Sequence, residues 1–505
     1  SITSDDGVII NHIKVLEAGG VEFVNAVATM HDVVIKDNTY SGHGAGISIL
    51  SSTVDLVNVV IDSNTTTGGY GGGGVSIYND CNVTMDSVQI TGNHSNSGGG
   101  IHSDDNSALH ISNSSIIGNH SEGNGGGIQN WSGTLELTNV HVDSNTANEK
   151  GGGLFSAIGE YIATASTFNW NTSLSSGGGI YSYSGSWDGL SLDSLIQCEV
   201  QNNAANGNGG GIMIQDYQYL YAVNTSITDN VAGMSDDNAY GGGIYSSVSN
   251  DQDTYSEFIN CTIANNNLES QNGYGGGFFE NSNSFTRLTN SIVWYNEASQ
   301  TSNIHQVYQI TYSNIEGGGD DNGNIDSDPL FVDMYNGDYK LSDYSPSIGT
   351  GTLEGAPSND LDGNTRPQPV DTNPDMGAYE NALGERLTGA TYYIATTGSD
   401  SSNGQIATPF KTIQHGIDAA WVGDTVIVYP GTYAGNVDFQ GKSIVLASRI
   451  LESGNEAYTD STIIEGTVTI DDGVDSTALF SGFTITGDFT IRGLVVTSVD
   501  NVMIN

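Results

Sequence analysis

A short run of glycines followed by one apolar residue recurs between Ile47 and Phe278, and this period constrains the fold more than any other feature. In its most regular part the apolar residue recurs at steps of 26, 27, 26 and 26 residues. The positions are Val75, Ile101, Ile128, Leu154 and Ile180, followed at wider steps by Ile212, Ile244 and Phe278. A period of this length indicates a solenoid, in which each unit packs on its neighbours.

A second mark is an asparagine that ends an apolar segment between successive glycine runs. These asparagines are Asn64, Asn93, Asn119, Asn145 and Asn171, at steps of 29, 26, 26 and 26 residues. Stacked side-chain amides bond one another along the axis of cross-β structures. We therefore expect the asparagines to form a ladder inside one corner of the coil.

The kind of solenoid follows from the residues within one period. β-Branched residues alternate with polar ones and no 3.6-residue pattern occurs, which excludes helical repeats. At about 3.3 Å per residue a turn of this length traces roughly 85 Å, enough for three short strands and three corners. The sequence therefore predicts an all-β fold, a parallel β-helix, in which Ile101 and Ile128 stack inside.

The repeat resembles that of a known family. Gly98-Gly99-Gly100-Ile101, paired with a hydrophobic-x-x-Asn element, is similar to the repeat of the polymorphic outer-membrane protein family. Ile or Val mostly stands where that family has Phe, and the likeness covers residues 40 to 300. The resemblance implies a right-handed parallel β-helix that serves as a cell-surface scaffold rather than as a catalyst.

The chain is strongly acidic, with 58 Asp and Glu against 11 Lys and Arg and a net charge of −47. This charge excludes a nucleic-acid partner and disfavours anionic substrates and anionic membranes. It is explained either by cation binding, especially of Ca²⁺, or by a solvated surface. No apolar run of 18 residues occurs, so we predict no membrane span.

The cysteines and histidines suggest no site. The three cysteines lie far apart and are expected to be buried small apolar residues; they are Cys81, Cys198 and Cys261. Five histidines scatter over several phases of the repeat, and we predict no metal site among them; they are His94, His102, His110, His120 and His141.

Residues 303–390 are rich in Asp, Gly and Pro. Asp328-Pro329-Leu330-Phe331 and Asp375-Met376-Gly377-Ala378-Tyr379-Glu380 resemble parts of the closing region of many secreted bacterial β-helix proteins. This resemblance implies an extracellular or cell-surface location.

One loop in this region has the alternating oxygen donors of a calcium site. The candidate ligands are Asp320, Asn322, Asn324, Asp326 and Asp328. The glycine and the final glutamate of an EF-hand are not in place, so the alternative is an Asx-rich turn.

Residues 391–505 start a second β-helix. Ala407-Thr408-Pro409-Phe410 and Pro430-Gly431-Thr432-Tyr433 resemble the opening of a pectate-lyase-type β-helix, where a short helix closes the N-terminal end. The helix should cover the core with Phe410, Ile413, Ile417 and Trp421. We thus predict three regions: a solenoid over 1–302, a closing region over 303–390, and the capped start of a second β-helix over 391–505.

The order of these regions suggests a function. The strands of the last region would be continued by residues 1–40, so the chain is expected to associate with itself head-to-tail through its N- and C-terminal coils, as a tandem array or a filament. The alternative is a fragment of a larger surface protein. We predict a non-enzymatic, extracellular structural protein or adhesin.

The other function considered is a secreted polysaccharide lyase or glycoside hydrolase of pectate-lyase-like fold. A lyase needs a basic residue on one outer face, and between residues 40 and 300 only Lys150 and Arg287 are available. For a hydrolase, Asp62, Asp143 and Asp229 occupy similar phases and form either an acidic row or solvated turns.

Tyrosines crowd the later coils of the solenoid. They suit either a carbohydrate-binding face or packing of insertions onto the solenoid. These are Tyr217, Tyr219, Tyr221, Tyr240, Tyr245, Tyr255 and Tyr274.

Overall fold

The computed structural model describes residues 2–11, 13–17, 19–69, 71–184, 191–236, 238–248, 253–281, 283–301, 303–319, 321–470, 474, 477–492 and 498–504. The chain forms two compact units. The first contains Ser1–Ile325, Thr352–Arg366 and Met376–Tyr379, and the second contains Asp326–Gly351, Pro367–Asp375 and Glu380–Asn505. The division into a solenoid over 1–302, a closing region over 303–390 and the capped start of a second β-helix over 391–505 stays a prediction.

The first unit is a right-handed parallel β-helix; the repeat predicted the parallel β-helix, and the resemblance implied its hand. Each regular coil contributes strands to four parallel ladders, one more than the three expected, because a strand of only two residues follows the ladder asparagine. Alternate residues along each strand point into the narrow core, as the two-residue period of a strand requires.

The first ladder follows the glycine runs. Its strands are Val21–His31, Ile47–Leu50, Val75–Tyr78, Ile101–Ser103, Ile128–Asn130, Leu154–Ala157, Ile180–Tyr183, Ile212–Gln215, Ile244–Ser247, Phe278–Glu280 and Ile304–His305. The second ladder begins one corner later, and the long strand Val21–His31 runs through both the first and the second ladder. Its strands are Ile2–Asn11, Val21–His31, Thr53–Val57, Asn82–Asp86, Ala108–Ile117, Thr134–Asp143, Glu160–Thr164, Ser191–Ile196, Gln218–Val223, Thr254–Ile259, Ser284–Thr289 and Gln309–Thr311.

The third ladder precedes the ladder asparagines, and two long strands run through both the second and the third. Its strands are Lys14–Leu16, Val34–Lys36, Val60–Asp62, Gln89–Thr91, Ala108–Ile117, Thr134–Asp143, Thr167–Asn169, Glu199–Gln201, Ser226–Thr228, Thr262–Ala264, Ile292–Trp294 and Asn314–Ile315. The fourth ladder consists of Thr39–Tyr40, Thr65–Thr66, His94–Ser95, His120–Ser121, Thr146–Ala147, Thr172–Ser173, Ala204–Ala205, Val231–Ala232 and Asn267–Leu268.

The apolar residue after each glycine run stacks inside, as predicted. Ile101 pairs with Ile128 in the next coil, and both are fully buried. Glycine is required beside this stack because a Cβ on Gly99 would lie 2.4 Å from the carbonyl oxygen of Gly126. The glycine run therefore permits the close approach of consecutive coils.

The predicted asparagine ladder is present. Asn93 Nδ2 donates to Asn119 Oδ1 at 2.9 Å and to the Ile61 carbonyl oxygen at 3.0 Å. The same Asn119 Oδ1 accepts the Asn93 backbone N–H at 3.0 Å. The ladder extends beyond the five residues expected from the sequence, and its members are Asn38, Asn64, Asn93, Asn119, Asn145, Asn171, Asn203, Asn230, Asn266, Asn296 and Asn303. The three cysteines are free and buried, as expected.

The described residues of the second unit form strands and three short α-helices. Phe331–Asp333 and Asp338–Leu341 form an antiparallel pair joined by a 3₁₀ turn at Met334–Asn336. Two parallel sheets follow, made of Thr391–Ile394, Thr425–Val428, Gly431–Ala434, Val445–Ser448, Thr462–Glu465, Leu479–Ile485 and Ser498–Ile504, and of Val437–Asp438, Val468–Ile470 and Phe489–Ile491. The helices are Ile413–Ala419, Ile450–Ser453 and Ala457–Ser461.

The helix Ile413–Ala419 corresponds to the predicted cap. Ile413, Ile417 and the preceding Phe410 are buried in the core of the second unit. Trp421 was assigned wrongly to this face: it lies beyond the helix end, is 40% exposed, and its ring packs under the Arg386 guanidinium at 4.9 Å. Across the described ranges, none of the helices is both long and apolar enough to cross a membrane.

Candidate functional site

A groove of about 350 Å³ lies on the outer side of the second ladder. We call it the aromatic groove, and it is lined by Tyr219, Tyr255, Ser256, Glu257, Phe285, Arg287 and Tyr308. All of these residues belong to the first unit.

Strand register brings the groove residues together. Tyr219, Tyr255 and Phe285 occupy equivalent positions of consecutive coils and form an aromatic row. Two residues further along the same strands, Glu257 is paired in register with Arg287. Because residues two apart lie on one face of a strand, the aromatic row and the charged row face the same groove.

The rings of the aromatic row contact one another. The centroids of Tyr255 and Phe285 are 5.4 Å apart in a stacked arrangement. Tyr308 packs edge-on against Phe285, also at 5.4 Å. These rings form a continuous apolar platform in the wall of the groove.

A polar pair stands beside this platform. The Tyr219 hydroxyl group donates to Glu257 Oε2 at 2.9 Å. Partial burial and this hydrogen bond raise the pKa of Tyr219 to about 12, so its hydroxyl group is protonated at neutral pH. The pair can therefore both offer and accept a proton at one place.

Arg287 supplies the positive charge of the groove. It is exposed and makes no ion pair within the described part of the chain. An adjoining cavity of about 380 Å³ shares Glu257 and Arg287 with the aromatic groove and adds Gln309, Tyr312 and Glu354 to the lining. The groove thus extends past Arg287 along the β-helix.

A second cleft, of about 600 Å³, lies on the earlier coils of the same unit. We call it the histidine cleft, and its lining includes Tyr78, His102, Asp104, Glu122, Gln129, Trp131 and Glu149. His102 is 3% exposed, and neither of its ring nitrogens has a hydrogen-bond partner among the described residues. Burial lowers the pKa of His102 to about 4, so its ring is neutral.

Two further histidines contact Glu122, which lines this cleft. His94 and His120 are paired in register on the fourth ladder, and their rings stack with centroids 5.1 Å apart. The Glu122 Oε1 atom lies 3.0 Å from His94 Nε2 and 3.6 Å from His120 Nε2. The five histidines occupy several phases of the repeat, as expected, but these two share one phase because each directly follows a ladder asparagine.

The predicted calcium ligands are placed as follows. Asp320 lies outside the described residues, and Asn322 is exposed. Asn324 is buried, its Oδ1 accepting the Ser313 backbone N–H at 3.0 Å. In the second unit Asp326 is exposed, and Asp328 Oδ1 accepts the Leu330 backbone N–H at 2.9 Å. The calcium site stays a prediction.

The three aspartates considered for a hydrolase do not line either cavity. Asp62 forms an ion pair of 2.7 Å with Lys36, which lowers its pKa against the opposing effect of burial. Asp143 accepts hydrogen bonds from Thr167 and Asn169, and Asp229 accepts one from Asn265. Each of the three aspartates bonds to residues of a neighbouring coil.

Five of the seven crowded tyrosines fall into two groups. Tyr240, Tyr245 and Tyr274 pack with Phe279 beside the first ladder, as the packing alternative expected. Tyr219 and Tyr255 belong instead to the aromatic groove. Glu257, Phe285 and Tyr308 were not singled out from the sequence, since only the strand register reveals that they share a face with the tyrosines.

Comparison with known proteins adds a fold likeness. No protein family and no curated protein matches the chain. The resemblance to the polymorphic outer-membrane protein family is therefore not supported. Among solved structures the chain is similar to a mutant of the PL6 family alginate lyase AlyGC, with 11% identity and a TM-score of 0.31, over 99% of this chain and 73% of that one.

The expectation of a non-enzymatic protein is contradicted by this comparison, because the matched structure is an enzyme. At this identity the likeness concerns the fold alone. Any activity of this chain must be argued from its own residues.

Proposed function

We propose that the chain is an extracellular enzyme that binds an acidic polysaccharide along the aromatic groove and cleaves it by β-elimination. The observation that carries this proposal is the juxtaposition of the Tyr255–Phe285 platform with the Tyr219–Glu257 pair and Arg287. Aromatic faces suit the apolar faces of sugar rings, and a guanidinium group binds a carboxylate with two parallel hydrogen bonds.

The overall charge of −47 opposes a polyanion. Arg287 offsets this repulsion inside the groove, because it has no ion pair in the described residues and lies where one sugar carboxylate can bind. Long-range repulsion is screened within about 10 Å at 0.1 M salt, whereas a direct contact is screened much less. The proposal therefore expects binding at moderate or high salt.

The residues of the groove can carry out the elimination. Arg287 neutralises the carboxylate of a uronate ring, which acidifies the C5 hydrogen of that ring. Glu257 accepts this proton, the electron pair forms the C4–C5 double bond, and the C4–O4 bond breaks. The leaving O4 takes the proton of the Tyr219 hydroxyl group, and Glu257 then returns a proton to Tyr219 through their 2.9 Å hydrogen bond. Both residues end as they began.

The test is incubation of the purified chain with carboxylate-bearing and neutral polysaccharides. Elimination yields an ultraviolet-absorbing unsaturated sugar and a new reducing end in equal amounts. Reducing ends without the double bond would indicate hydrolysis and contradict the elimination step. The proposal is overturned if the chain does not cleave acidic polysaccharide and is also not retained on the immobilised polysaccharide, in low and in high salt.

A second proposal is end-to-end association of the chain. It is supported by exposed apolar side chains, Ile9 and Ile504, in strands that have one sheet neighbour each within the described residues. Electron microscopy with and without a calcium chelator tests it. Filaments that are lost on chelation would support both the association and the calcium loop, whereas isolated rods in calcium would contradict the association.

A further inference from the structure

Glu122 of the histidine cleft forms a cluster with two histidines that the polysaccharide proposal does not use. Glu122 Oε1 lies 3.0 Å from His94 Nε2 and 3.6 Å from His120 Nε2, and one ligand atom of each residue lies within 4.8 Å of one ligand atom of each of the others. Two imidazoles and one carboxylate are a common ligand set for Zn²⁺ and related ions, and such sites keep further coordination positions open.

The fold orients these ligands. His94 and His120 stand on adjacent two-residue strands of the fourth ladder, directly after ladder asparagines that fix the backbone. The Glu122 backbone N–H donates to the Ser95 carbonyl oxygen at 2.9 Å, which places its side chain beside both rings. Asn148 Nδ2 donates to Glu122 Oε2 at 2.6 Å and leaves Oε1 directed at the histidines.

A second observation points to a ligand at this place. Glu122 also lines the histidine cleft, where the buried His102 has two ring nitrogens without a partner among the described residues. Its nearest carboxylate atom, Asp104 Oδ2, is 4.0 Å from Nε2, too far for a hydrogen bond. An unsatisfied buried polar group is costly, so its persistence in a cleft is explained by a ligand that completes it.

We propose that His94, His120 and Glu122 bind one divalent transition-metal ion, with Zn²⁺ as the reference ion, whose open coordination positions face a ligand in the histidine cleft. Tetrahedral bonds of 2.0–2.1 Å place ligand atoms about 3.3 Å apart. The separations of Glu122 Oε1 from His94 Nε2 and His120 Nε2, 3.0 Å and 3.6 Å, are already close to this value, and rotation of the imidazole side chains adjusts the remaining separation. Asn148 acts as a positioning residue that holds the carboxylate.

Imidazole ligands distinguish this site from the acidic surface. Hard ions such as Ca²⁺ prefer oxygen ligands, whereas imidazole favours Zn²⁺, Cu²⁺ and Ni²⁺. Excess Ca²⁺ therefore occupies the many exposed carboxylates and leaves the histidine pair free for Zn²⁺.

The test is calorimetric titration of the metal-stripped full chain with Zn²⁺ in excess Ca²⁺, together with the visible spectrum of the Co²⁺ form, which reports nitrogen ligation. One ion per chain is expected. His94→Gln and His120→Gln should each weaken binding at least about tenfold, and Asn148→Ala should weaken it by about tenfold through the loss of orientation.

His110→Gln is the matched control, because His110 also lies 2.8 Å from a carboxylate, Glu136, but no second histidine joins this pair among the described residues. It should bind Zn²⁺ like the natural chain. The proposal is overturned if the natural chain takes up no stoichiometric Zn²⁺ in Ca²⁺, or if the His94→Gln and His120→Gln variants, shown to be folded by circular dichroism, bind as tightly as the control.

Discussion

The hydroxyl group of Tyr219 donates a 2.9 Å hydrogen bond to Glu257 on the next coil of the β-helix. This bond joins the aromatic row to the charged row of the groove, because the two residues stand two positions apart in strand register. It also supplies a route by which a proton can pass from one residue to the other. The proposed elimination depends on this route.

Removal of the Tyr219 hydroxyl group tests the proton donor. We expect Tyr219→Phe to lower kcat about 100-fold, a typical contribution of general acid catalysis, with little change in KM. The exposed Tyr40→Phe is the control, since that tyrosine lies far along the chain from the groove. Equal kcat values for the two variants in steady-state assays would show that Tyr219 transfers no proton.

Substitution of Arg287 tests recognition of the sugar carboxylate. Hydrogen bonds to charged groups contribute about 1.5–3 kcal/mol, so Arg287→Ala should weaken binding of an acidic oligosaccharide roughly 10- to 100-fold. Arg287→Lys should restore only part of the affinity, because lysine lacks the planar fork. Arg492→Ala, an exposed arginine of the second unit, removes the same charge elsewhere and should leave the calorimetric Kd unchanged.

The asparagine ladder should dominate local stability. Asn119→Ala leaves the Asn93 amide and backbone N–H without their acceptor in a buried corner, at about 1–3 kcal/mol for each unsatisfied group. We expect a lower unfolding midpoint and faster hydrogen exchange at Asn93. The exposed Asn82→Ala should change neither; comparable destabilisation by both variants would mean that the ladder has no special role.

Asp193 should make stability depend on pH. Burial raises the pKa of Asp193 to about 8, although hydrogen bonds from Ser182 and Tyr161 oppose the shift. Between the pKa of the unfolded chain, near 4, and that of the folded chain, about 8, Asp193 is protonated in the folded chain but ionised in the unfolded chain. The free energy of unfolding is therefore greatest below this pH window and falls as pH rises through it, by up to about 1.4 kcal/mol per pH unit.

Asp193→Asn should remove this part of the slope. Denaturant unfolding of both proteins across this pH window measures the difference between their slopes. The comparison with the variant is needed because burial also raises the pKa of Glu280 to about 7, which adds a contribution of the same sign in both proteins. Parallel curves for the natural chain and the variant would contradict the assignment to Asp193.

The sequence was sufficient for those parts of the fold that repeat with a constant step. Asn119 and Asn145 are 26 residues apart and lie in contact, because the coil between them has no insertion. The same period predicted the buried stack of Ile101 on Ile128. The four-ladder cross-section was not predicted, since a two-residue strand leaves almost no pattern of alternation.

The groove could not be predicted because insertions change the step between its residues. Tyr219 and Tyr255 are 36 residues apart and Tyr255 and Phe285 are 30 apart, yet each pair is in register. No fixed period aligns them. The His94–His120 pair, by contrast, could have been predicted from the sequence, because each residue follows a ladder asparagine and the two are one regular coil apart.

The central claim is that an acidic polysaccharide lies along the aromatic groove, and hydroxyl-radical footprinting with a bound acidic oligosaccharide tests it most directly. We predict that Tyr219, Tyr255, Phe285 and Tyr308 become protected, whereas the exposed Tyr40 and Trp170 react as before. Protection of Trp131 in the histidine cleft, with the groove tyrosines unchanged, would contradict the account and place the polysaccharide on the earlier coils.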